Sequence, residues 1–467
     1  MAIEFPDLQG NVMPGFAKPK QVFLFFELRR SHDWLVKLCR SVTSQKDVLQ
    51  FRAELRVWRQ EQVGSRPTST WLNIGLTSSG LQKLGQDPSL LRSGAFTSGL
   101  AARAHITDGP TQPGDPANPN SWLVGGAGTA ADVLLHLGCD DQSDLIQAMR
   151  QIVGDIGDAA RLIHYDIGSA LEGPLAGKEH FGYKDGISQP KSIGTPTPGT
   201  ITDVIAPDEL FAFSEHGKTR VTFPTWASDG TFAVYERLAQ DVGAFRRVCT
   251  STAEALTRRY GTRVSPSAIG ARIFGRWTSG APLSLSPNAD DPALGRDDER
   301  NNLFGYQDDP MGVKCPIDSH VRLALRRDDA IGKGQPRRIL RRGIPFGAPY
   351  PLPGDRGLLF LSFQASIEQQ FEELLGPDET PWEQISTAAT PLFGLNERPF
   401  NFSFARDSGG FQEVSVRIKD RFVVTTGGAY LFYPTISGLR ALLEADHHAR
   451  HRRVKDQRRK EYRAQNS

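Results

Sequence analysis

Short apolar runs alternate with stretches of helical periodicity along the first half of the chain. Runs of strand length, rich in β-branched and aromatic residues, predict four strands at 21–28, 70–76, 131–137 and 160–167. Apolar residues at helical spacing predict three helices at 47–58, 80–84 and 141–153. The second of these follows Thr77, Ser78 and Ser79, which are typical N-cap residues. The first half is therefore predicted to contain both strands and helices in alternation.

The second half repeats this rhythm. Strands are predicted at 230–238, 320–325 and 357–363, and helices at 241–260 and 367–375. Two strand–helix–strand units with antiparallel pairs predict an α+β fold of duplicated ferredoxin-like halves, similar to a dimeric α+β barrel.

Two segments rich in Pro, Gly, Asp and Asn, 107–120 and 194–207, are predicted loops, and the second is placed between the two halves. The predicted organisation is an N-terminal half at 1–205 and a C-terminal half at 206–445. The remaining residues, 446–467, are a basic tail predicted to be solvated.

Composition allows a large core and argues against some partners. The chain has 467 residues, 39% of them hydrophobic, and a mean hydropathy of −0.38, which is typical of a globular protein able to enclose a large apolar ligand. A net charge of +2 gives no reason to expect nucleic acid as a partner. No secretory leader pattern and no run of eighteen apolar residues is present, so no membrane association and a cytoplasmic location are predicted. A leader removed beforehand would leave the same sequence and a secreted protein.

The four cysteines are scattered along the chain, with no CxxC pair and no CxxCH motif. This argues against a disulfide framework and against a cysteine-rich metal site. Any haem would be bound non-covalently.

Three segments place ionisable residues in apolar or glycine-bounded surroundings. In EHFGYKDGISQP, from position 179, the glycines fix a tight backbone path that can aim Asp185 at a cavity, although an Asp-Gly pair alone is usually a turn. In KCPIDSHVR, from position 314, His320 begins an apolar run, and a neutral histidine is a common haem iron ligand. In RRILRRGIPFG, from position 337, Arg341 follows an apolar pair and would supply a permanent positive charge if held inward.

Resemblance to a known family connects these segments. EHFGYKDGISQP resembles the signature of the dye-decolorizing peroxidases, whose GxxDG motif is here Gly182 to Gly186. Further segments in the same order are similar to blocks of that family: DLQGNVMPGF, GRWTSGAPL, KCPIDSHVR, ILRRGIPFG, RGLLFLSFQ and FVVTTGGAYLFYP. The resemblance covers nearly the whole chain and fits the longer-chain branch of the family.

The resemblance implies one non-covalent haem b per chain, bound mainly by the second half. His320 would be the proximal ligand of the iron, and Asp185 would move a proton between the two oxygens of peroxide. Arg341 would stabilise negative charge as the O–O bond breaks, with Arg342 as the alternative for that role.

Further expectations concern the surroundings of the haem. Leu358 and Phe360 match apolar distal-pocket positions that limit access to small oxidants. The acceptor for the second ring nitrogen of His320 is left open between Ser366 and Glu368, because the chain lacks the Asp or Asn typical of the family at that place. Electrons from large donors would travel through tryptophan or tyrosine residues that the sequence does not single out.

The predicted function is the reduction of hydrogen peroxide with oxidation of bulky aromatic donors, such as anthraquinone or azo dyes and phenols, by a monomer or homodimer. One alternative is a haem-binding sensor or carrier without peroxidase turnover, which would need neither Asp185 nor Arg341. A second alternative is a hydrolase without haem that uses Asp185 and His320.

Overall fold

A computed structural model describes most of the chain. The described residues are 5, 7–29, 32–109, 111–190, 204–213, 223–325, 327–328, 338–375, 390–393 and 399–446. Most of the predicted linker at 194–207, and all but the first residue of the predicted basic tail, lie outside them. No described helix has both the length and the apolar composition needed to cross a bilayer.

Strands of the described part carry the framework of the fold. They are β1 (Lys20–Leu28), β2 (Trp71–Leu76), β3 (Val133–Cys139), β4 (Ala160–Ser169), β5 (Thr231–Gln240), β6 (Leu340–Arg341), β7 (Ile344–Phe346), β8 (Gly357–Gln364), β9 (Phe400–Ala405), β10 (Phe411–Val416) and β11 (Val423–Tyr433).

Helices cover the sheet and fill the connections between strands. They are α1 (Asp33–Cys39), α2 (Gln45–Glu61), α3 (Ser78–Lys83), α4 (Gly94–Ser98), α5 (Ala104–Asp108), α6 (Gln142–Ile156), α7 (Pro207–Leu210), α8 (Val242–Tyr260), α9 (Pro266–Phe274), α10 (Pro292–Arg296), α11 (His320–Ala324) and α12 (Glu373–Leu375). A π-helical stretch, Ile367–Glu372, runs directly into α12. Short 3-10 helices occur at Pro88–Leu91, Leu100–Arg103, Pro119–Ser121, Gly157–Ala159, Gly173–Leu175 and Thr225–Ala227.

The main sheet closes on itself. Its nine strands follow the order β5-β11-β2-β3-β1-β4-β7-β8-β6, and an additional pairing of β5 with β8 completes a ring. Strands β9 and β10 form a separate hairpin. This is the α+β barrel that the strand and helix pattern predicted.

Each half of the barrel has the ferredoxin-like strand order. In the first half β1 lies between β3 and β4, with β2 outside β3, and in the second half β5 lies between β8 and β11, with β6 and β7 outside β8. The seams between the halves are short: β11 meets β2 only at Phe432 and Leu76, and β4 meets β7 only at Gly168 and Phe346. The prediction of duplicated ferredoxin-like halves is confirmed.

Alternate residues of the strands fill the barrel interior. Phe23 and Phe25 of β1 pack with Tyr235 of β5, at ring-centroid distances of 5.2 and 4.8 Å. The opposite faces of the same strands pack against the helices in a second large core. Both faces of the sheet are therefore buried, so the strands show little alternation of apolar and polar residues.

The strand predicted at 320–325 is wrong, because His320–Ala324 forms the short helix α11. The Ser319 carbonyl accepts hydrogen bonds from the backbone N–H groups of Arg322 and Leu323, as in a helical turn. Arg322 is fully buried, where it donates to the carbonyls of Asp309 and Cys315. The apolar run that His320 begins suggested a strand, but the inward hydrogen bonds of Arg322 hold this segment as a helical turn.

We predict different costs for removing two phenolic hydroxyls from the barrel interior. The Tyr235 hydroxyl donates to Asp166 at 2.6 Å, whereas the buried Tyr433 hydroxyl has no hydrogen-bond partner among the described residues. Tyr235→Phe should lower the free energy of unfolding by about 1.5–3 kcal/mol, as expected for a hydrogen bond to a charged group. Tyr433→Phe, the matched control, should be neutral or stabilising. Urea unfolding of both variants checks this, and equal costs would contradict it.

Candidate active site

A cavity of about 1730 Å³ lies against the outer face of the second half of the barrel. Strands β5 and β8, the C-terminal end of α9, helix α11 and the loop after β4 contribute to its walls. It is larger than the usual pocket for a small ligand, which is about 300–1,000 Å³. Apolar side chains lining it include Phe274, Leu323, Leu325, Leu358 and Phe360.

His320 enters this cavity from the first position of α11. Its ring contacts Phe274 edge-on, with centroids 6.3 Å apart, and its Nδ1 atom is buried without a hydrogen-bond partner among the described residues. Nε2 is neither buried nor hydrogen-bonded to a described residue, so it is the ring nitrogen available to a ligand in the cavity. Burial, and then the positive charge of Arg341, lower the pKa of His320 to about 4. The imidazole is neutral at neutral pH, as a metal ligand must be.

Neither Ser366 nor Glu368 accepts a hydrogen bond from His320. Ser366 caps the π-helical stretch by accepting from the Gln369 N–H, and one Glu368 oxygen accepts from the Ser93 hydroxyl and the Ala95 N–H at the start of α4. Both residues serve as helix caps, which explains why the chain has no Asp or Asn turned toward the histidine at this place. The two candidates from the sequence are thus wrong for the described structure.

The loop carrying Asp185 is fixed by a buried glutamate. The Glu179 carboxylate accepts hydrogen bonds from the backbone N–H groups of Phe181 and Tyr183, at 2.8 and 2.9 Å, and from the Gln240 side chain. Gly182 and Gly186 have φ values of 98° and 81°, which only glycine adopts without strain. These constraints turn the Asp185 side chain into the cavity.

Arg341 lies beside Asp185 although 156 residues separate them in sequence. Arg341 Nη1 donates to Asp185 Oδ1 at 2.8 Å, and both side chains line the cavity. Gln189 of the same loop donates to the Arg341 backbone carbonyl. In contrast, Arg342 turns to the first half, where it donates to the carbonyls of Asn11 and Val12. The geometry therefore favours Arg341 over Arg342 as the arginine of the cavity.

Opposing influences act on the Asp185 carboxyl group. Burial acts to raise its pKa, but the charge of Arg341, the hydrogen bonds from the Gly186 N–H and Arg341, and the nearby His320 act to lower it. The lowering influences prevail, so the pKa of Asp185 lies below its usual range. Asp185 consequently remains a proton-accepting carboxylate in mildly acidic solution.

One wall of the cavity is a continuous face of the sheet. In the antiparallel registers Leu358 lies opposite Leu238, Phe360 opposite Glu236, and Ser362 opposite Arg341. Directly opposed residues of a sheet share a face, and so do alternate residues of one strand. Leu358, Phe360 and Arg341 therefore belong to the same wall of the cavity. Leu358 and Phe360 are the two residues that the sequence analysis expected at apolar distal positions.

Glu236 and Glu179 were missed by the sequence reasoning. Glu236 is 5% exposed and lines the cavity, and its Oε1 atom is buried with no hydrogen-bond partner among the described residues. Burial, and then the negative charge of Asp108, raise its pKa to about 8, and burial raises the pKa of Glu179 to about 7. A lone acidic residue inside the apolar run TFAVYERL was the available signal, but a strand buried on both faces does not reveal which face it joins.

The residues present fit a haem group. The cavity offers a long apolar wall, a neutral histidine with a free nitrogen on one side, and an arginine–carboxylate pair on the strand wall. Iron in haem is held by such a histidine in globins and peroxidases. His320 would bind the iron, and Leu358 and Phe360 would pack against the ring.

Comparisons with known proteins agree with this site. Residues 7–166 match the DyP dimeric alpha+beta barrel domain, and residues 271–380 match the C-terminal domain of Dyp-type peroxidases. Dye-decolorizing peroxidase msp1 of Mycetinis scorodonius is 29% identical over 473 residues, which cover 94% of this chain and 88% of that protein.

Solved structures extend the similarity to the fold. A point mutant of the dye-decolorizing peroxidase from Pleurotus ostreatus superposes with a TM-score of 0.80 at 25% identity, covering 95% of this chain and 100% of that one. A dye-decolorizing peroxidase in complex with 2,6-dimethoxyphenol has a TM-score of 0.73 at 28% identity, covering 94% and 100%. Together these matches place the chain among the haem-dependent peroxidases. It belongs to the dye-decolorizing peroxidase family.

We predict that Glu236→Gln makes the haem-free protein more stable at pH 8 than the unsubstituted protein. The pKa of the Glu236 carboxyl group is raised from 4.5 to about 8 on folding. The free energy of unfolding of the wild-type protein is therefore not reduced by this group below pH 4.5, and it decreases as the pH rises from 4.5 to 8. Glutamine cannot ionise, so the gain should grow from pH 5 to pH 8 and reach roughly 2–4 kcal/mol. Urea unfolding at both pH values measures it. The control Glu172→Gln, at a side chain 87% exposed, should show no such trend, and a gain for Glu236→Gln independent of pH would contradict the assignment.

Proposed function

We propose that this peroxidase reduces hydrogen peroxide and oxidises bulky aromatic donors, such as anthraquinone or azo dyes and phenols, at one non-covalently bound haem b per chain. The observation that carries the proposal is the 2.8 Å ion pair between Arg341 and Asp185 in the cavity that His320 also enters. When bound, haem supplies a redox-active iron that accepts oxidising equivalents from peroxide and passes them to the donor. The cytoplasmic location and the monomeric or dimeric state stay predictions.

Asp185 acts as the proton carrier of the peroxide reaction. Its carboxylate takes the proton from the peroxide oxygen that lies nearer His320 and gives it to the other oxygen, which leaves as water. The lowered pKa keeps the group ready to accept this proton in acidic solution. Gly186 N–H and Arg341 hold one carboxylate oxygen, so the other is free to meet the substrate.

Arg341 supplies permanent positive charge at the oxygen that leaves. Because a guanidinium is charged at all working pH values and has five N–H donors, it can hold Asp185 and still face peroxide. Leu358 and Phe360 narrow the space beside this pair and keep bulky donors out. Large dyes therefore give up their electrons from outside the cavity.

A haem carrier or sensor is the competing function. Such a protein needs the histidine and the apolar wall but neither the ion pair nor a loop held by Glu179. The absorption spectrum of haem-loaded protein, followed by stopped flow after one equivalent of peroxide, decides between them. Rapid conversion of the ferric spectrum, reversed by a dye, supports the peroxidase. A spectrum that is unchanged or merely bleached supports the carrier.

We predict that His320→Ala loses most of its haem, because no other described residue that lines the cavity has an imidazole ring. The ratio of haem absorbance to protein absorbance measures the loss. Added imidazole should restore a histidine-like spectrum, which separates loss of the ligand from misfolding. The control His105→Ala, at an exposed histidine outside the cavity, should keep full haem. Retention of haem with an unaltered spectrum by His320→Ala would refute the ligand assignment.

We predict that Asp185→Asn and Arg341→Leu keep haem but react with peroxide at least about 100-fold more slowly, as expected for loss of a proton carrier or of charge stabilisation. Single-turnover stopped flow with varied peroxide measures the rate. Arg342→Lys is the matched control, because it keeps a donor for the carbonyls of the first half and leaves the cavity unchanged. If Arg342→Lys lost the peroxide rate while Arg341→Leu kept it, the two assignments would have to be exchanged.

A further inference from the structure

Reduction of peroxide to water consumes protons that the Asp185–Arg341 pair does not provide. Each H2O2 takes up two electrons and two protons to give two H2O. The transfer by Asp185 only moves a proton from one peroxide oxygen to the other, so that the pair gains and loses none overall. A large donor outside the cavity supplies electrons there, and any proton it loses is released there too. Two protons must therefore enter the cavity in each cycle.

Glu236 is placed to carry them. It belongs to the same wall as Phe360 and Arg341. Two strand spacings, about 10 Å across the sheet, and two residues, about 7 Å along the strands, separate it from Arg341. Its side chain is 5% exposed, it lines the cavity, and its buried Oε1 atom has no hydrogen-bond partner in the described part of the chain. A buried carboxyl group with an unpaired oxygen beside a ligand cavity is a poor structural element, because burial without hydrogen bonds is costly.

A group of charged residues extends from the neighbourhood of Glu236 to the surface. Strand β11 has a register irregularity between Thr425 and Gly428, opposite Glu236, and Asp108 of α5 accepts from the Thr425 N–H at this point. Asp108 is 3% exposed and is paired with Arg421, which also binds Asp115. Arg421 and Asp115 are 24% and 28% exposed, so this chain of charged groups connects the interior with solvent.

Other ionisable groups also face Glu236 or lie near it. Tyr430 of β11 is close enough for the charge of Glu236 to affect its phenol, and its hydroxyl donates to Glu372. Glu372 is in turn ion-paired with Arg103. Among these, Glu236 alone lines the cavity. The others are satisfied by one another.

We propose that Glu236 is a second acid of this cavity, which takes up protons from solvent on the side where Asp108, Arg421 and Asp115 lie and delivers them to the oxygen that is reduced to water. The inference rests on the proposed peroxidase function. Two carboxyl groups thus divide the proton chemistry: Asp185, ionised beside Arg341, accepts a proton, and Glu236, buried without a cation, holds one to give. The raised pKa of Glu236 is consistent with this division.

The first test is spectroscopic and does not depend on turnover. Infrared spectra of haem-loaded protein at pH 7 should contain the carbonyl band of a buried protonated carboxyl group. Glu179, which is also buried and has a pKa raised to about 7, contributes to the same band. One component of the band should disappear in Glu236→Gln, and all of it should remain in Glu372→Gln, the control at a buried glutamate that is ion-paired and does not line the cavity. A wild-type spectrum without a band that Glu236→Gln removes would overturn the inference, whatever the result with peroxide.

The second test separates electrons from protons. Haem-loaded protein is treated with one equivalent of peroxide, then reduced with ferrocyanide, which supplies electrons and no proton. Glu236→Gln should react with peroxide as fast as wild type. With ferrocyanide, however, it should regain the ferric spectrum about 10- to 100-fold more slowly than wild type at pH 7. Glu236→Asp should recover part of this rate. Return of Glu236→Gln at the wild-type rate would overturn the inference. If wild-type protein does not react with peroxide, the proposed peroxidase function fails instead, while the infrared band still reports on Glu236.

Discussion

The antiparallel pairing of β8 with strands on both of its sides is the constraint on which the cavity depends. On one side the ladder with β5 closes the barrel, and on the other the short ladder with β6 sets the direction of Arg341. Because opposed residues share a face, this register alone puts an arginine, two apolar residues and a glutamate on one wall and sends their neighbours into the barrel interior. A slip of one residue would exchange the two sets.

The same wall also controls the electrostatics of the site. Of the two carboxyl groups considered for proton transfer, Asp185 has a guanidinium within hydrogen-bond distance, whereas Glu236 has none among the described residues. A cation at 2.8 Å outweighs burial for Asp185, whereas burial prevails for Glu236, on which the like charge of Asp108 also acts. Residues of one chemical kind thus acquire opposite protonation from their surroundings.

Much of the framework was predictable from the sequence. Strands β1 to β5 and β8 and the long helices α2, α6 and α8 were found from apolar runs and helical periodicity, whereas β6, β7, β9, β10 and β11 were not predicted. The segment at 320–325 was misassigned because one helical turn and one short strand produce the same pattern when a buried arginine stands in a polar position. The π-helical stretch before α12 was likewise read as an ordinary helix, since hydrophobic spacing does not distinguish them.

The site residues that could be predicted are those in the segments that resemble the family. His320, Asp185 and Arg341 lie on separate segments, and no spacing rule brings Asp185 and Arg341 together. They meet because the loop after β4 and strand β6 both line the cavity. Glu236 and Glu179 had no motif to mark them, and their importance follows from burial. The hydrogen-bond acceptor of His320 was expected just after β8, at Ser366 or Glu368. Both side chains accept hydrogen bonds from helix N-termini instead.

The short seams of the barrel have a consequence for modular exchange between relatives. Because one residue pair joins the halves at each seam, their mutual position depends on the shared core and on side chains that cross over. Near the cavity these include Arg341 to Asp185, Gln189 to the Arg341 carbonyl, and Arg342 to the carbonyls of Asn11 and Val12. In a chimera of two family members, the two reactive groups would meet only if the residues that make these crossing contacts were inherited together.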